Sequence, residues 1–231
     1  MDKSRPSVSG EEVTQQSELE WDQASVDHVL GTTRAVRRRL DFDRPVPREV
    51  LLECVELAQQ APTGGNRQGW RFLIVTDEDL RREIADVYRN ASLAALQRQR
   101  DSSNDDQTRR VYASAVFLAE NLHRVPVHVF PCVQVVQARD GVRRSGADAS
   151  DSIIQAAWSF MLALRARGLG STWTTISLAR TDRISTLLGI PDDFRHVALL
   201  PVAYTVGTDF RRAARPPATS ITYWDTWGEP S

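Results

Sequence analysis

Two stretches of this 231-residue chain hold side chains whose types and spacing suit ligand chemistry. The first reads Thr32-Thr33-Arg34-Ala35-Val36-Arg37. Arg34 and Arg37 are three residues apart, a spacing that shares one face of a helix. Forked guanidinium groups suit a phosphomonoester with two negative charges. A run of arginines, here continued by Arg38 and Arg39, is equally what a solvated basic helix face looks like, and the residue types alone leave both readings open. Arg38 and Arg39 are read as surface. The second stretch, residues 61–70, reads Ala-Pro-Thr-Gly-Gly-Asn-Arg-Gln-Gly-Trp. Pro62 stops the helix before it. Gly64 and Gly65 permit positive φ and close approach of a flat ligand to the backbone. Thr63, Asn66 and Gln68 add short hydrogen-bonding groups. Such a loop suits a planar, polar-edged ring; an ordinary tight turn is the alternative.

The elements around these stretches must position them. Ser25 is placed to cap a helix over 26–40, with Val26, Val29, Leu30, Val36 and Leu40 on or near one face, although Gly31 interrupts it. Pro45 and Pro47 open a second helix that runs to Gln60. The glycine loop follows, then a strand over 71–76, and Asp77 caps a helix from Glu78. Helical spacing continues to Gln99; 100–107 is polar enough for a loop, and a helix over 108–123 follows. Residues 127–136 are almost all apolar, as in a strand buried on both faces. After a polar loop over 138–149, Asp148 or Ser150 caps a helix that is apolar nearly all round and ends at Gly168. Strands over 170–176 and 197–206 flank a short helix over 182–188.

Several classes are excluded. Net charge is −1, so the overall field does not draw the chain to nucleic acid or to an anionic membrane. No apolar run approaches the roughly 20 residues that span a bilayer. Residues 1–22 are polar, without an apolar signal core, and read as a disordered arm. Cys54 and Cys132 sit in apolar runs, as buried free thiols in a reducing, cytoplasmic setting do. His123 and His128 lack a carboxylate or cysteine constellation, and His28 and His196 add nothing, so no metal site is expected. There is no P-loop, no G-x-G-x-x-G after a strand and no zinc signature.

Taken together, residues 25–227 resemble the FMN-dependent nitroreductase family. The resemblance rests on the arginine stretch, on the loop before the strand, on Gly168-Leu169-Gly170-Ser171-Thr172-Trp173, and on Arg215-Pro216-Pro217 near the C-terminus. Two departures stand out: Ala35 replaces a serine, and Gly69 replaces the proline before Trp70. The resemblance implies an α+β fold with a central mixed or antiparallel sheet flanked by helices, and an interwoven homodimer. It divides the chain into an arm over 1–22, a domain over 23–207 and a C-terminal arm over 208–231 that wraps the partner subunit. It implies that Thr33, Arg34, Ala35 and Arg37 meet the phosphate and edge of FMN. Pro62, Thr63, Gly64, Asn66 and Gln68 would lie along the ring. Backbone N–H groups of Thr174, Thr175 and Ile176 would face its reactive nitrogen, and Arg215, with Arg212 in reserve, would reach the phosphate. A variable helical lid would cover the substrate around 85–110.

The chemistry expected on that basis is ping-pong hydride transfer from NADH or NADPH, each bound only transiently, to a nitroaromatic, a quinone or a similar flat acceptor. No side chain is expected to be catalytic in its own right, because the cofactor carries the reaction. Relatives within the fold remove halogens, fragment the flavin or use a deazaflavin, and a non-catalytic flavin binder is a further alternative. Nucleic-acid binding through the arginine run is the most distant.

Overall fold

The computed structural model describes residues 22–135 and 147–228, with side chains in the helix that begins at Ala147 described from Ser152 onward. Residues 1–21 of the expected arm, and most of the expected loop over 138–149, lie outside them. The helices are α1 (Gln23–Thr32), α2 (Arg48–Ala58), α3 (Glu78–Ser102), α4 (Asp106–Asn121), α5 (Ala147–Ala166) and α6 (Thr181–Leu188). The strands are β1 (Trp70–Val75), β2 (Val127–Gln134), β3 (Leu169–Ser171), β4 (Phe194–His196) and β5 (Leu200–Tyr204). They form one sheet in the order β1-β2-β5-β3, with β4 beside β2, and every pairing is antiparallel.

The centre of the sheet is β2, whose residues are buried up to Val133. Alternate side chains enter opposite layers, as the two-residue period of a strand requires. Phe130 and Cys132 pack with Ile84, Leu118, Leu122 and Ile184 of the α3, α4 and α6 side. Val127 and Val129 pack with Leu51, Phe160 and Leu164 of the α2 and α5 side. The α+β class and the doubly buried strand are therefore as expected. Local chemistry sets several boundaries. The Asp77 carboxylate accepts from the Leu80 N–H and starts α3, and Asp105 accepts from the Thr108 N–H and starts α4. The polar stretch over 100–107 thus shrinks to a short turn between two long helices that pack side by side.

Three expected elements are corrected. The helix over 26–40 stops at Thr32: Asp22, not Ser25, caps it, and the Thr32 and Thr33 hydroxyls turn back onto the His28 and Val29 carbonyls. Beyond Thr33 the chain runs alongside the sheet, with the Val36 N–H donating to the Ser171 carbonyl at 2.9 Å and Leu40 bridging Thr205. The strand over 170–176 is only β3; Thr174 then makes a single bridge to Leu199, and Ile176–Arg180 is a 3₁₀ helix. The strand over 197–206 is only β5; β4 lies before it, Val197 still donates to the Pro131 carbonyl of β2 at 2.9 Å, and Leu199 pairs with Thr174 between the two strands. α5 already begins at Ala147, so Asp148 and Ser150 lie inside its first turn. Among the described residues no helix is long and apolar enough to cross a membrane, and no cluster of three or more potential metal ligands occurs.

Both cysteines are free and buried, and burial pushes the thiols up to about 11 at Cys54 and about 12 at Cys132. Burial has the opposite effect on imidazole. His128, with Nε2 3.0 Å from the Leu122 carbonyl, and His196 are both pushed down to about 4 from an ordinary 6.5. Between those values the unfolded chain binds protons that the folded chain does not. Stability is therefore complete above pH 6.5 and is lost as the pH falls toward 4. Melting curves at pH 7.5, 6 and 5 should show a steady fall in Tm, partly flattened by His196→Gln. A Tm that holds constant down to pH 5 contradicts the burial of neutral imidazoles.

Candidate functional site

The arginine stretch forms a cavity of about 370 Å³, lined by residues 34–39, by Ser114 of α4 and by residues 209–211 of the C-terminal segment. That volume falls within the range of small-molecule sites. Arg37 is half-buried and donates to Ser114 Oγ at 3.1 Å; burial lowers its proton affinity, and Tyr88 nearby opposes the shift. Arg38 donates to the Ala113 carbonyl and lies over the Phe117 ring, so two successive arginines are pinned to α4. Arg34 is exposed and donates to the Arg211 carbonyl at 2.9 Å. Arg39 pairs with Asp209 at 2.6 Å, and that guanidinium holds the Asp209 carboxyl below its ordinary value. Five arginines, at 34, 37, 38, 39 and 211, thus surround one carboxylate. The surplus of positive charge favours an anion.

Phe210 fixes the C-terminal wall. Its ring lies between the guanidinium groups of Arg39, at 4.3 Å, and Arg165, at 4.7 Å. Cations over an aromatic face are attracted by its quadrupole. Arg165, buried on α5, also donates to Thr32 Oγ1 and to the Thr208 carbonyl. The end of α1, the end of α5 and the C-terminal segment therefore meet at one point.

The structure brings Arg34, Ala35 and Arg37 together, but by an irregular segment held against the sheet and not by a helix face. Arg38 and Arg39, read as surface, line the cavity. Thr33 does not, since its hydroxyl is held by α1. Arg212 lies across Gly31, where a Cβ would come within 2.7 Å of its Nε. Arg215 is exposed and, among the described residues, reaches only the neighbouring Ala214 carbonyl, at 3.5 Å. Neither lines the cavity; Arg211 does. Ser114, Phe210 and Arg211 carry no motif, and only the contacts of the fold single them out.

The glycine loop lies elsewhere. It leads into β1, at the opposite edge of the sheet from β3, and packs against α5. Gly65 has φ 59°, but the other positive values belong to Asn66 (54°) and Gln68 (46°), not to Gly64. Side chains at such angles are uncommon and carry strain. Gln68 Nε2 donates to Asn66 Oδ1 at 2.8 Å, and Thr63 Oγ1 is buried without a hydrogen-bond partner among the described residues. The third group, Thr174 to Ile176, stands where the chain leaves the sheet. Thr174 is buried, Thr175 exposed and Ile176 half-buried at the start of the 3₁₀ helix.

Residues 31–204 match the family model of the Nitroreductase family. Several curated relatives are more than a quarter identical to the chain over the aligned residues. An iodotyrosine deiodinase from Thermotoga neapolitana is 29% identical, over 76% of this chain and 86% of its own. A 5,6-dimethylbenzimidazole synthase from Rhodospirillum rubrum is 28% identical, over 69% and 73%. The crystal structure of an FMN and NADPH-dependent nitroreductase from Sphigopyxis sp. strain HMH superposes with a TM-score of 0.65 at 21% identity, over 87% of this chain and 99% of that one, and shows the same fold.

The cavity segment sits against β3 at Gly170. A Cβ there would lie 2.7 Å from Thr205 Cγ2 and 3.0 Å from Val36 Cβ. Gly170→Ala should therefore push the arginine segment off the sheet, at a cost of about 1–3 kcal/mol for overpacking. In a melting experiment that is a Tm fall of roughly 2–12 °C. An unchanged Tm contradicts the close packing.

Proposed function

The chain belongs to the Nitroreductase family, and from that premise we propose that it is an FMN-dependent oxidoreductase that takes hydride from NADH or NADPH and passes it to a flat acceptor such as a nitroaromatic or a quinone. The observation that carries this reading is the arginine cavity. Arg34, Arg37 and Arg211 converge on one space from two distant parts of the chain, and their charge and fork geometry fit a phosphomonoester. The strained loop fits the rest of the molecule, since Asn66, Gln68 and the unpartnered Thr63 hydroxyl offer polar contacts to a ring edge. Bound FMN would supply the two-electron chemistry. The residues would hold it, exclude water and present main-chain N–H groups at Thr175 and Ile176 to the ring. A main-chain donor there survives any side-chain change except proline.

The same geometry supports the homodimer. The arginine segment lies along β3 and the loop leads into β1, so the two groups stand at opposite edges of the sheet with β2 and β5 between them. Two copies placed face to face would bring the arginines of one against the loop of the other. Leu30 of α1 and Ile154 and Trp158 of α5 are exposed apolar surface suited to such a contact. The buried free thiols support a reducing compartment, in keeping with a cytoplasmic enzyme.

A second reading stays inside the family. The curated relatives include deiodinases and a synthase of dimethylbenzimidazole, so reductive dehalogenation or fragmentation of the flavin is a real competitor for the acceptor step. Purification should give a yellow protein, or an apoprotein that takes up one FMN per chain. Arg34→Ala and Arg37→Ala should each weaken FMN about tenfold or more, with much less effect on riboflavin, which has no phosphate. NAD(P)H should reduce the bound flavin, and a screen of nitroaromatics, quinones and halogenated phenols should then name the oxidant. A protein that binds neither flavin overturns the proposal.

A further inference from the structure

One buried side chain reaches the backbone expected to face the flavin ring. Tyr88 of α3 is 2% exposed. Its hydroxyl lies 2.9 Å from Thr174 Oγ1 in a buried hydrogen bond. A buried polar link thus ties α3 to the residue at which the chain leaves the sheet.

Packing alone does not call for this pair. Phenylalanine and valine would fill nearly the same space without burying two hydroxyls, and an unpaired buried hydroxyl is costly. Three hydroxyls along residues 172–177 are buried: those of Thr172 and Ser177 have no hydrogen-bond partner among the described residues, and that of Thr174 is engaged by Tyr88. The backbone of Thr174 is already pinned, with its N–H donating to the Leu199 carbonyl at 3.1 Å and its carbonyl accepting from the Leu199 N–H at 2.9 Å. Directly after it the chain turns. The backbone of Thr175 sits in the sparsely populated bridge region between helix and strand, and Ile176 begins the 3₁₀ helix. The direction of the Thr175 and Ile176 N–H groups is therefore set at Thr174, the last residue anchored to the sheet.

We propose that Tyr88 is a positioning residue: its hydroxyl locks Thr174 so that the following main-chain donors are aimed at the flavin ring. The proposal rests on the FMN reading given above. It makes no claim that Tyr88 touches the cofactor.

The test compares the wild-type protein with Tyr88→Phe, Thr174→Val, the double variant and Thr174→Ser. Two quantities are read: the FMN dissociation constant, by fluorescence quenching on the apoprotein, and the midpoint potential of the bound flavin, by equilibration with a reference dye. Each single variant should weaken FMN about three- to tenfold. Each should also shift the relative affinity for oxidised and reduced flavin by about tenfold, which is about 30 mV for a two-electron couple. The double variant should move no further than either single one, because both remove the same bond. Thr174→Ser, which keeps the hydroxyl, should restore wild-type values. Wild-type affinity and potential in Tyr88→Phe overturn the proposal, as does a double variant equal to the sum of the singles. If Tyr88→Phe fails to fold by circular dichroism, Thr174→Val and Thr174→Ser decide alone, with identical values for the two overturning it. Wild-type protein that binds no flavin is a different outcome: it removes the FMN reading, and this proposal with it.

Discussion

The main-chain hydrogen bond from Val36 to Ser171 ties an otherwise irregular segment to the edge of the sheet. Its consequences spread in both directions along the chain. Upstream, α1 must stop at Thr32, since a helix continued to Leu40 could not lie flat along β3. Downstream, Leu40 bridges Thr205 and brings the segment after β5 alongside the same arginines. Gly170 is the point of closest approach, and its missing side chain makes room for Val36. The bond is an ordinary one, worth about 1 kcal/mol net. Its importance is geometric: it decides which side chains surround the cavity.

Each arginine then acquires a different task from its anchor. Arg39 is committed to structure, paired with Asp209 and stacked on Phe210. Arg38 is stacked on Phe117. Arg37, half-buried and bonded to Ser114, is pre-positioned and loses little freedom on meeting an anion, which favours tight binding. Arg34 is exposed and holds only a carbonyl, so it is the most adaptable of the four. A basic run that looks uniform in sequence is thus divided by its surroundings into members committed to structure and members left facing the cavity.

Much of this is legible in the residues, for physical reasons that differ by element. The doubly apolar run of β2 announces a strand with two packed faces, and Asp77 marks the start of α3 because a carboxylate before a helical period has one obvious use. The arginine pair and the loop are visible in residue types and in family resemblance. Their arrangement is not, because helical periodicity through Val29, Val36 and Leu40 persists in a segment whose hydrogen bonds go to the sheet, and tertiary pairing overrides that pattern. The late start of β5 is equally hidden, since the apolar run from Val197 gives no sign that Leu199 pairs with Thr174. Sequence favours Arg215 over Arg211 because the choice depends on where Phe210 docks, a contact with α5 far away in the chain. Tyr88 lies on a helix whose pattern explains it as core, and only its hydroxyl partner distinguishes it.

The central claim is that a complete site needs the arginines of one copy and the loop of another. Mixing two damaged proteins tests it most directly. One carries Arg34→Ala with Arg37→Ala, and the other carries Asn66→Ala with Gln68→Ala. Neither should hold FMN alone. After the two are unfolded together and refolded, each mixed dimer should contain one site with both intact halves, so close to one FMN per mixed dimer should bind. If no binding returns on mixing, while wild-type protein treated in the same way regains its flavin, the site is not shared between copies and the account is contradicted.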